Sequence, residues 1–489
     1  MSTLIPQPPR WRRVLKWLGV GLLLAVLGLP LLLYGAFVGI QEASERQWLG
    51  RAPTHPSIDV RSREPHQLVL LDEGFDSLAE RLRMIEQAKH SIELEFFIYE
   101  IDTASRLVTQ ALARKARQGV KVRLLVDFSL PVFKLAPHVA AELTNAGVQV
   151  RYYNTAGLVR FFAVNHRTHR KLLVVDRRAA IVGGRNIGDD YFDLSPRYNF
   201  LDSDLSIAGP VAAAISDSFE LYWASEWVVH PEAVATNRPT TNSTALLGPA
   251  DPKLEARLEA LAAELRQHTL SHPPTTCNDL HFVTDYPGSG VERRRVFQEL
   301  IRLSQEARTQ IVIESPYLVL RDDGVALLAS LAQRGVKLQF LTNSLHSTDA
   351  FYTVASLANV LDRLNLPRTE VWAYQGLPLA GSARASASPR WGVHAKRAVF
   401  DDHTVAIGTY NVDPRSANLN AELMVVCRGN RELAAAVQAS IGARMAQSRA
   451  ILGTPGAGGY AALVEGADPD THLMMRAISP LTWLLDVLL

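Results

Sequence analysis

The sequence predicts an α/β protein of two duplicated lobes, each with a mixed, largely parallel sheet flanked by helices, related by a pseudo-twofold and preceded by one N-terminal transmembrane helix. Three observations carry this: a strand–helix–strand pattern that occurs twice, a set of polar residues at the same spacing in both copies, and a long uncharged stretch near the N-terminus.

The uncharged stretch comes first in the chain. Residues 17–40 run 24 positions without a charge, and as a helix they would cover about 36 Å, enough to cross a bilayer. A cleaved signal peptide is the alternative, but its apolar core is usually about 7 to 15 residues and ends at an Ala-x-Ala-like site. Arg10, Arg12, Arg13 and Lys16 precede the stretch, and Glu42 and Glu45 follow it. Positive-inside bias therefore keeps the N-terminus cytoplasmic. The expectation is a single-pass protein of the inner membrane with its catalytic part in the periplasm: a basic tail (1–16), an anchor (17–40) and a polar, Pro-containing linker (41–66).

A chain of 489 residues exceeds what one core supports, so two domains are expected. The repeat supplies them. Ser91-Ile-Glu-Leu-Glu-Phe-Phe-Ile-Tyr99 leads through a helical stretch to Ala116-Arg-Gln-Gly-Val-Lys-Val122, and Thr309-Gln-Ile-Val-Ile-Glu-Ser-Pro-Tyr317 leads likewise to Ala332-Gln-Arg-Gly-Val-Lys-Leu338. Each copy reads as a βαβ unit, which implies parallel strands with a right-handed crossover. Gly119 and Gly335 fall where a helix C-terminus calls for positive φ. Lobe one is placed at 67–230, a linker or insertion at 231–280, lobe two at 281–450, and a tail with an apolar, membrane-associating end at 451–489.

Downstream of each βαβ unit lie His169, Lys171, Asp176, Gly183 and Asn186, answered by His394, Lys396, Asp401, Gly408 and Asn411, with offsets of 2, 7, 14 and 17 from the histidine in both. Histidine and lysine two apart on a strand share a face. The Asp opens a turn, and the returning strand brings the Asn back beside them. Two such hairpins face to face make one site with two histidines, two lysines and two asparagines. Such a set suits displacement at a phosphodiester: a neutral histidine attacks phosphorus, and a protonated one gives a proton to the leaving alkoxide. Lys171, Asn186, Lys396 and Asn411 would hold the non-bridging oxygens. No metal and no cofactor are needed for that chemistry. Asp202 or Asp204 and Glu422 are candidates to orient the imidazoles.

Other features read as ordinary. With 51 Lys+Arg against 49 Asp+Glu there is no global basic field, so nucleic acid is not an expected partner. Cys277 and Cys427 read as buried thiols, with one bridge as the alternative in an oxidising compartment. His55, His166, His346 and His403 lack a partner motif and read as surface or turn residues. Asp189 and Asp190 read as a solvated turn, Trp223 and Trp227 as packing, and the run from Arg293 to Arg295 as an exposed helix start.

His-x-Lys-x4-Asp twice, with Gly-Gly-x-Asn after the first and Gly-x-x-Asn after the second, resembles the phospholipase D superfamily over residues 67–429. Gly183-Gly-Arg-Asn-Ile-Gly-Asp-Asp-Tyr-Phe192 and Asn411-Val-Asp-Pro-Arg-Ser-Ala-Asn-Leu-Asn-Ala-Glu422 are similar to its bacterial cardiolipin synthase-like branch. The resemblance implies a phosphatidyltransferase that acts on phospholipid through a phosphohistidine, with His169 as nucleophile, His394 as acid, and Asp176 and Asp401 holding the hairpins together. A lipid, a small alcohol or water would be the acceptor. Water would make the protein a hydrolase releasing phosphatidic acid. A nucleic-acid phosphodiesterase or a non-catalytic lipid-binding scaffold are the further alternatives. Phe351-Tyr352 stand without a histidine where that branch places a His and a Tyr for the acceptor, which leaves the acceptor open; the oligomeric state is open too.

Overall fold

The chain is described here by a computed structural model covering residues 59–129, 132–155, 164–234, 246–247, 251–288, 294–378 and 389–482, with 21, 28, 32–37 and 39. Of the predicted anchor, only those last positions are described, and they are helical; the rest lies outside the described residues. Among the described residues no helix is long and apolar enough to cross a membrane.

The first lobe runs β1 (Val60–Ser62), β2 (His66–Leu71), α1 (Gly74–Gln87), β3 (Ser91–Phe96), α2 (Thr103–Arg117), β4 (Lys121–Asp127), α3 (Pro137–Asn145), β5 (Gln149–Tyr153), β6 (Leu172–Val175), β7 (Ala179–Gly183), β8 (Tyr198–Leu201), β9 (Asp204–Ala208), α4 (Val211–Trp223) and β10 (Val228–Val229). Next come α5 (Pro252–Gln267) and β11 (Thr275–Cys277), both inside the segment expected as a linker. The second lobe repeats the order: β12 (Leu280–Thr284), α6 (Arg295–Glu306), β13 (Gln310–Glu314), α7 (Asp322–Gln333), β14 (Lys337–Asn343), α8 (Phe351–Val360), β15 (Thr369–Tyr374), β16 (Arg390–Val393), β17 (Arg397–Phe400), β18 (Thr404–Gly408), α9 (Pro414–Asn418), β19 (Leu423–Arg428), α10 (Arg431–Met445) and β20 (Ser448–Leu452). Two helices, α11 (Gly459–Val464) and α12 (Pro469–Ile478), follow.

Each lobe builds a nine-stranded sheet, and the two orders match strand for strand: β11-β2-β9-β7-β6-β3-β4-β5-β10 and β1-β12-β19-β18-β17-β13-β14-β15-β20. The outermost strands are exchanged. β1 leads into the first lobe yet pairs with β12, and β11 leads into the second yet pairs with β2. Arg61 and Asp279, ion-paired beside this exchange, join the two leads.

The sheets are mixed, but the expectation that they are largely parallel is corrected. Within the two nine-stranded sheets only β3-β4 and β4-β5, with their counterparts β13-β14 and β14-β15, are parallel; every other neighbouring pair there is antiparallel. The βαβ units account for the parallel part, and the motif hairpins β6-β7 and β17-β18, which dock beside β3 and β13, reverse the direction. Gly119 and Gly335 have φ of +91° and +84°, the left-handed conformation expected at the ends of α2 and α7.

Each lobe has its own core between sheet and outer helices, and a third core is shared. It gathers Leu172, Val174 and Val182 of the first lobe with Val399, Val405, Ile407 and the wholly buried Trp391 of the second. Burial on that scale makes the two lobes one body. Cys277 and Cys427 form a disulfide with Cα atoms 6.1 Å apart, which corrects the reading as free thiols: β11 sits on the first lobe's sheet and β19 in the second's, so the bond crosses from one lobe to the other.

Candidate active site

Both motif histidines stand just before the first strand of their hairpin, and each backbone is fixed by both lobes. Thr168 N–H donates to Asp127 Oδ2 at the end of β4 (2.9 Å), while His169 N–H donates to Ala421 O of the second lobe (2.9 Å). In the second lobe Val393 N–H donates to Asn343 Oδ1 at the end of β14 (2.7 Å), and His394 N–H to Leu201 O of the first (2.8 Å). β16 also lies parallel to β8 across the boundary.

The imidazoles are oriented by the opposite lobe too. His169 Nδ1 meets Glu422 Oε2 at 3.0 Å and Thr409 O at 3.1 Å. His394 Nδ1 meets Asp202 Oδ2 at 2.5 Å. With both partners acceptors, Nδ1 carries the proton in each ring and Nε2 is left for chemistry. Glu422 is braced by the Thr409 hydroxyl, Ser416 Oγ (2.8 Å) and Asn420 Nδ2 (3.3 Å). Ser416 sits on α9, whose N-terminus Asp413 caps (2.7 Å). The residues from Asn411 to Glu422 thus form one support for a single carboxylate.

Of Asp202 and Asp204, offered as alternatives for orienting an imidazole, only Asp202 faces one, that of His394. Asp204 instead takes Ser77 Oγ (2.6 Å), Arg81 (3.0 Å) and Arg185 (3.3 Å). Asp202 stands before β9 and Asp204 begins it, so strand alternation does not relate the two. Gly184 explains the double glycine of the first motif, because a Cβ there would lie 2.1 Å from Asp202 Oδ1.

Lys171 and Lys396 are buried, and each ammonium donates to the carbonyl of its own motif histidine (2.7 Å for Lys171 to His169 O). Each keeps further N–H groups for an anion. Asn186 is tied inward: its Oδ1 accepts from Ile98 N–H at 3.0 Å. Asn411 is also buried, and its backbone N–H donates to Ser416 Oγ (3.2 Å).

Electrostatics separate the two histidine pairs. Burial, then the Lys171 and Lys396 charges, hold His169 well below the usual imidazole range, so it is neutral. Its partner Glu422 is pushed up to about 7 by burial, against the pull of Lys171. On the other side burial would raise Asp202, but His394, Lys396 and Arg185 outweigh it and keep Asp202 an anion. His394 is lowered to about 4 by burial and Lys396, with Asp202 opposing. Lys396 falls to about 8 through burial, and Lys171 is lowered well below the usual ammonium range by burial and by Lys396. Each lysine feels the other lobe's charges, Glu422 and Asp202 among them, which marks one shared site.

Asp176 and Asp401, named above as members of the motif that hold its hairpins, stand apart from the imidazoles. They stand at the far ends of β6 and β17 from the histidines, with φ of +51° and +55°. Asp176 accepts from the backbone N–H groups of Lys89, His90 and Ser91 (2.7–2.8 Å). Asp401 accepts from those of Arg308, Thr309 and Gln310. Each carboxylate closes the loop that feeds the central strand of its lobe.

Several ordinary readings also change. His166 is buried and lowered to about 3, chiefly by burial and by the nearby Arg294. Arg294 is no exposed helix start: it is wholly buried and donates to Gly288 O (3.0 Å) and Leu419 O (3.2 Å). Asp189 accepts from Ala104 N–H (2.7 Å) in the first turn of α2, so the Asp189-Asp190 turn is packed rather than solvated. Trp223 and Trp227 do pack, under Arg151 (4.4 Å) and on Tyr153 (6.2 Å). Among the described residues no three His, Cys, Asp or Glu are gathered in a way that could hold a metal ion.

Sequence reading missed the second ring of the site. Phe97 packs edge-on against His169 (5.2 Å), and Tyr191 and Phe200 pack against His394 (5.3 and 4.8 Å). Glu95 and Glu314, equivalent in β3 and β13, are buried beneath the hairpins and paired with Arg170 (3.3 Å) and Arg397 (2.6 Å). Strand register makes the two equivalent, Glu95 opposite Leu172 and Glu314 opposite Arg397, but the aligned repeats set them one position apart, which hid the signal. Tyr317 donates to Asp349 (3.0 Å), and Asp349 in turn acts on Lys396 and Tyr352.

A family model described as "Cardiolipin synthase, PLD-like domain" matches residues 82–223 and again 300–445, once in each lobe. Cardiolipin synthase C of Escherichia coli (strain K12) is 30% identical over 395 residues, 74% of this chain and 82% of that one. Cardiolipin synthase A of Pseudomonas putida (strain W619) is 29% identical over 393 residues, 79% and 70%. An uncharacterized protein of Helicobacter pylori (strain ATCC 700392 / 26695) is 28% identical over 389 residues, 73% and 75%. Among solved structures, phosphatidylserine synthase of Haemophilus influenzae Rd KW20 superposes with a TM-score of 0.63 at 15% identity, over 86% of this chain and 95% of that one, which is a likeness of fold.

Proposed function

The chain belongs to the phospholipase D superfamily, in its cardiolipin synthase-like branch, and from that membership we propose that this phosphatidyltransferase is membrane-bound and works through a phosphohistidine at His169. The observation that carries the reading is the reciprocal exchange of carboxylates, Glu422 to His169 and Asp202 to His394.

In the first step His169 Nε2 attacks the phosphorus of a phospholipid, the bond to the head-group oxygen breaks, and His394, reacting from the imidazolium form that the Asp202 anion stabilises and that is the minor one at neutral pH, gives its Nε2 proton to that oxygen. Lys171 and Lys396 balance the charge on the non-bridging oxygens. In the second step neutral His394 takes the proton of an acceptor hydroxyl, whose oxygen attacks phosphorus as the P–N bond breaks. With the glycerol head group of a second phosphatidylglycerol as acceptor, the products are cardiolipin and free glycerol; with water, the lipid product is phosphatidic acid. Burial of both imidazoles, about 7% exposed each, limits entry of water and favours transfer.

The site residues follow from the same reading: His169 and His394 react, the lysines hold phosphate, Asn411 assists them, and Asn186 shapes the loop after β3. A lobe-crossing disulfide suits an oxidising compartment, which supports a periplasmic catalytic part behind an inner-membrane anchor. A formal net charge of +2 gives nucleic acid little purchase.

The test is to incubate the full chain, and His169→Ala and His394→Ala, with phosphatidylglycerol vesicles and to identify the lipid products. Cardiolipin from the wild type and from neither variant is the expected outcome. Phosphatidic acid alone would make the protein a hydrolase, and no turnover of lipid by the wild type would refute the reading.

A further inference from the structure

Helix α12 is apolar on two faces, and only one of them is covered. Met475 is 1% exposed within the second lobe's core, and Ile478 packs beside it. On the other side Leu473 and Met474 of α12, and Leu481 of the 3₁₀ turn that continues it (Ser479–Leu481), are 68%, 48% and 50% exposed, and with the exposed Ala477 between them they recur at helical spacing on one stripe. A helix on a water-facing surface puts polar residues there. The sequence continues Trp483-Leu-Leu-Asp-Val-Leu-Leu489, with one charge in seven residues.

The stripe is joined to the active site through α8. Asn359, near the C-terminal end of α8, donates to Ser479 O (2.8 Å) and Thr482 Oγ1 (2.9 Å) and accepts from Ser479 Oγ (2.9 Å). Tyr352, at the other end of α8, lies within the fields of Asp349, Asp413 and Arg415 beside the site. Tyr352 and Asn359 stand seven positions apart on the helix, about 10 Å of axis.

The geometry points to α12 and the turn after it as an interfacial anchor: the Leu473, Met474 and Leu481 stripe lies in the acyl boundary of the bilayer and holds the α8 edge of the active site at the membrane surface. The occupant is a lipid surface because the stripe is apolar, flanked by the exposed Arg476, and continued by an apolar sequence, the pattern of a helix that lies in a membrane interface. The anchor would let a phospholipid enter the site without crossing water. Its kinetic test rests on the phosphatidyltransferase reading; its physical test does not.

The full chain carrying Leu473→Ser, Met474→Ser and Leu481→Ser together would be compared with wild type in two assays. One uses long-chain phosphatidylglycerol in vesicles containing the reconstituted protein. The other uses monomeric dihexanoyl phosphatidylglycerol with the protein in detergent. The expected result is at least a tenfold loss of kcat/KM on vesicles with monomer turnover unchanged. Equal rates on vesicles would overturn the proposal, and so would an equal loss on both substrates, which would assign the stripe to the fold. Independently, a bimane label on Met474→Cys should be quenched by brominated acyl chains in phosphatidylethanolamine and phosphatidylglycerol vesicles. No quenching, or a label shielded instead by a second copy or another protein, would overturn the proposal even if the lipid chemistry stands; loss of wild-type turnover with quenching intact would fault the chemistry alone.

Discussion

Gly184 and Asp202 compete for the same volume: the carboxylate that holds His394 lies where the side chain of any other residue at 184 would begin, 2.1 Å from an ideal Cβ. Gly184→Ala should therefore push Asp202 off His394 and lower kcat toward the level of Asp202→Asn, a fall of about 10²- to 10⁴-fold. Circular dichroism and kcat measured together would check it. A Gly184→Ala enzyme with full activity would break the link between the glycine and the carboxylate.

Glu422 should set the acid side of the pH profile. Its carboxyl is raised to about 7 by burial, so the anion that steadies His169 as an imidazolium is present above that pH and is lost as pH falls through it. Activity should rise through about pH 7 in the wild type. Glu422→Gln, which cannot titrate, should be slower by roughly 10- to 100-fold and should lack that limb; a limb that persists would assign it to another group.

His166 should weaken the protein in acid. Its folded value of about 3 lies below the unfolded value of about 6.5, so stability is full above pH 6.5 and falls as pH drops from there toward 3. At pH 5 the cost is about 2 kcal/mol. Thermal midpoints of wild type and His166→Gln, compared at pH 7.5 and pH 5, should show a smaller acid drop in the variant.

Removing the Cys277–Cys427 bond, which closes a loop with a sequence separation of 150 residues, should lower stability by up to about 5 kcal/mol on the chain-entropy model. The double substitution to serine should lower the thermal midpoint under non-reducing conditions, while kcat at low temperature stays within a few-fold of wild type. An unchanged midpoint would mean that the cysteines do not pair.

Asp176→Ala and Asp401→Ala should damage folding before chemistry. Each leaves backbone N–H groups without their acceptor, at about 1–3 kcal/mol. Soluble yield and midpoint should fall, and the folded fraction should keep far more activity than His169→Ala. A loss of kcat as deep as that of His169→Ala in well-folded protein would assign these residues a part in the chemistry.

Much of the site was legible because it is written twice. Equal offsets from His169 and His394 located the hairpins, although the period-two argument for the lysines does not apply, because His169 to Lys171 and His394 to Lys396 precede β6 and β17. What stayed hidden depends on contacts between lobes, which no local pattern records. Asp202 and Asp204 differ by two positions and look interchangeable, yet the chain bends before β9 and only Asp202 reaches a histidine. The βαβ periodicity of Ser91–Val126 was sound, but it speaks for two strands of nine, so it overstated the parallel part of the sheet. Cys277 and Cys427 lie far apart in sequence, and only the exchange of β11 brings them together.

That exchange of β1 and β11 has a consequence for how the molecule can be divided. Two identical subunits around a twofold would each lend an edge strand and a carboxylate to the other, and here a single chain contains both halves of that bargain. Split between residues 234 and 251, the first fragment would keep His169 without Glu422 and lose the strand that closes its sheet; the second would keep His394 without Asp202 and lose β1. Neither half is a smaller enzyme. Mixed together, the fragments have complementary edges and complementary acids, so activity should return with second-order kinetics, as in the assembly of a heterodimer.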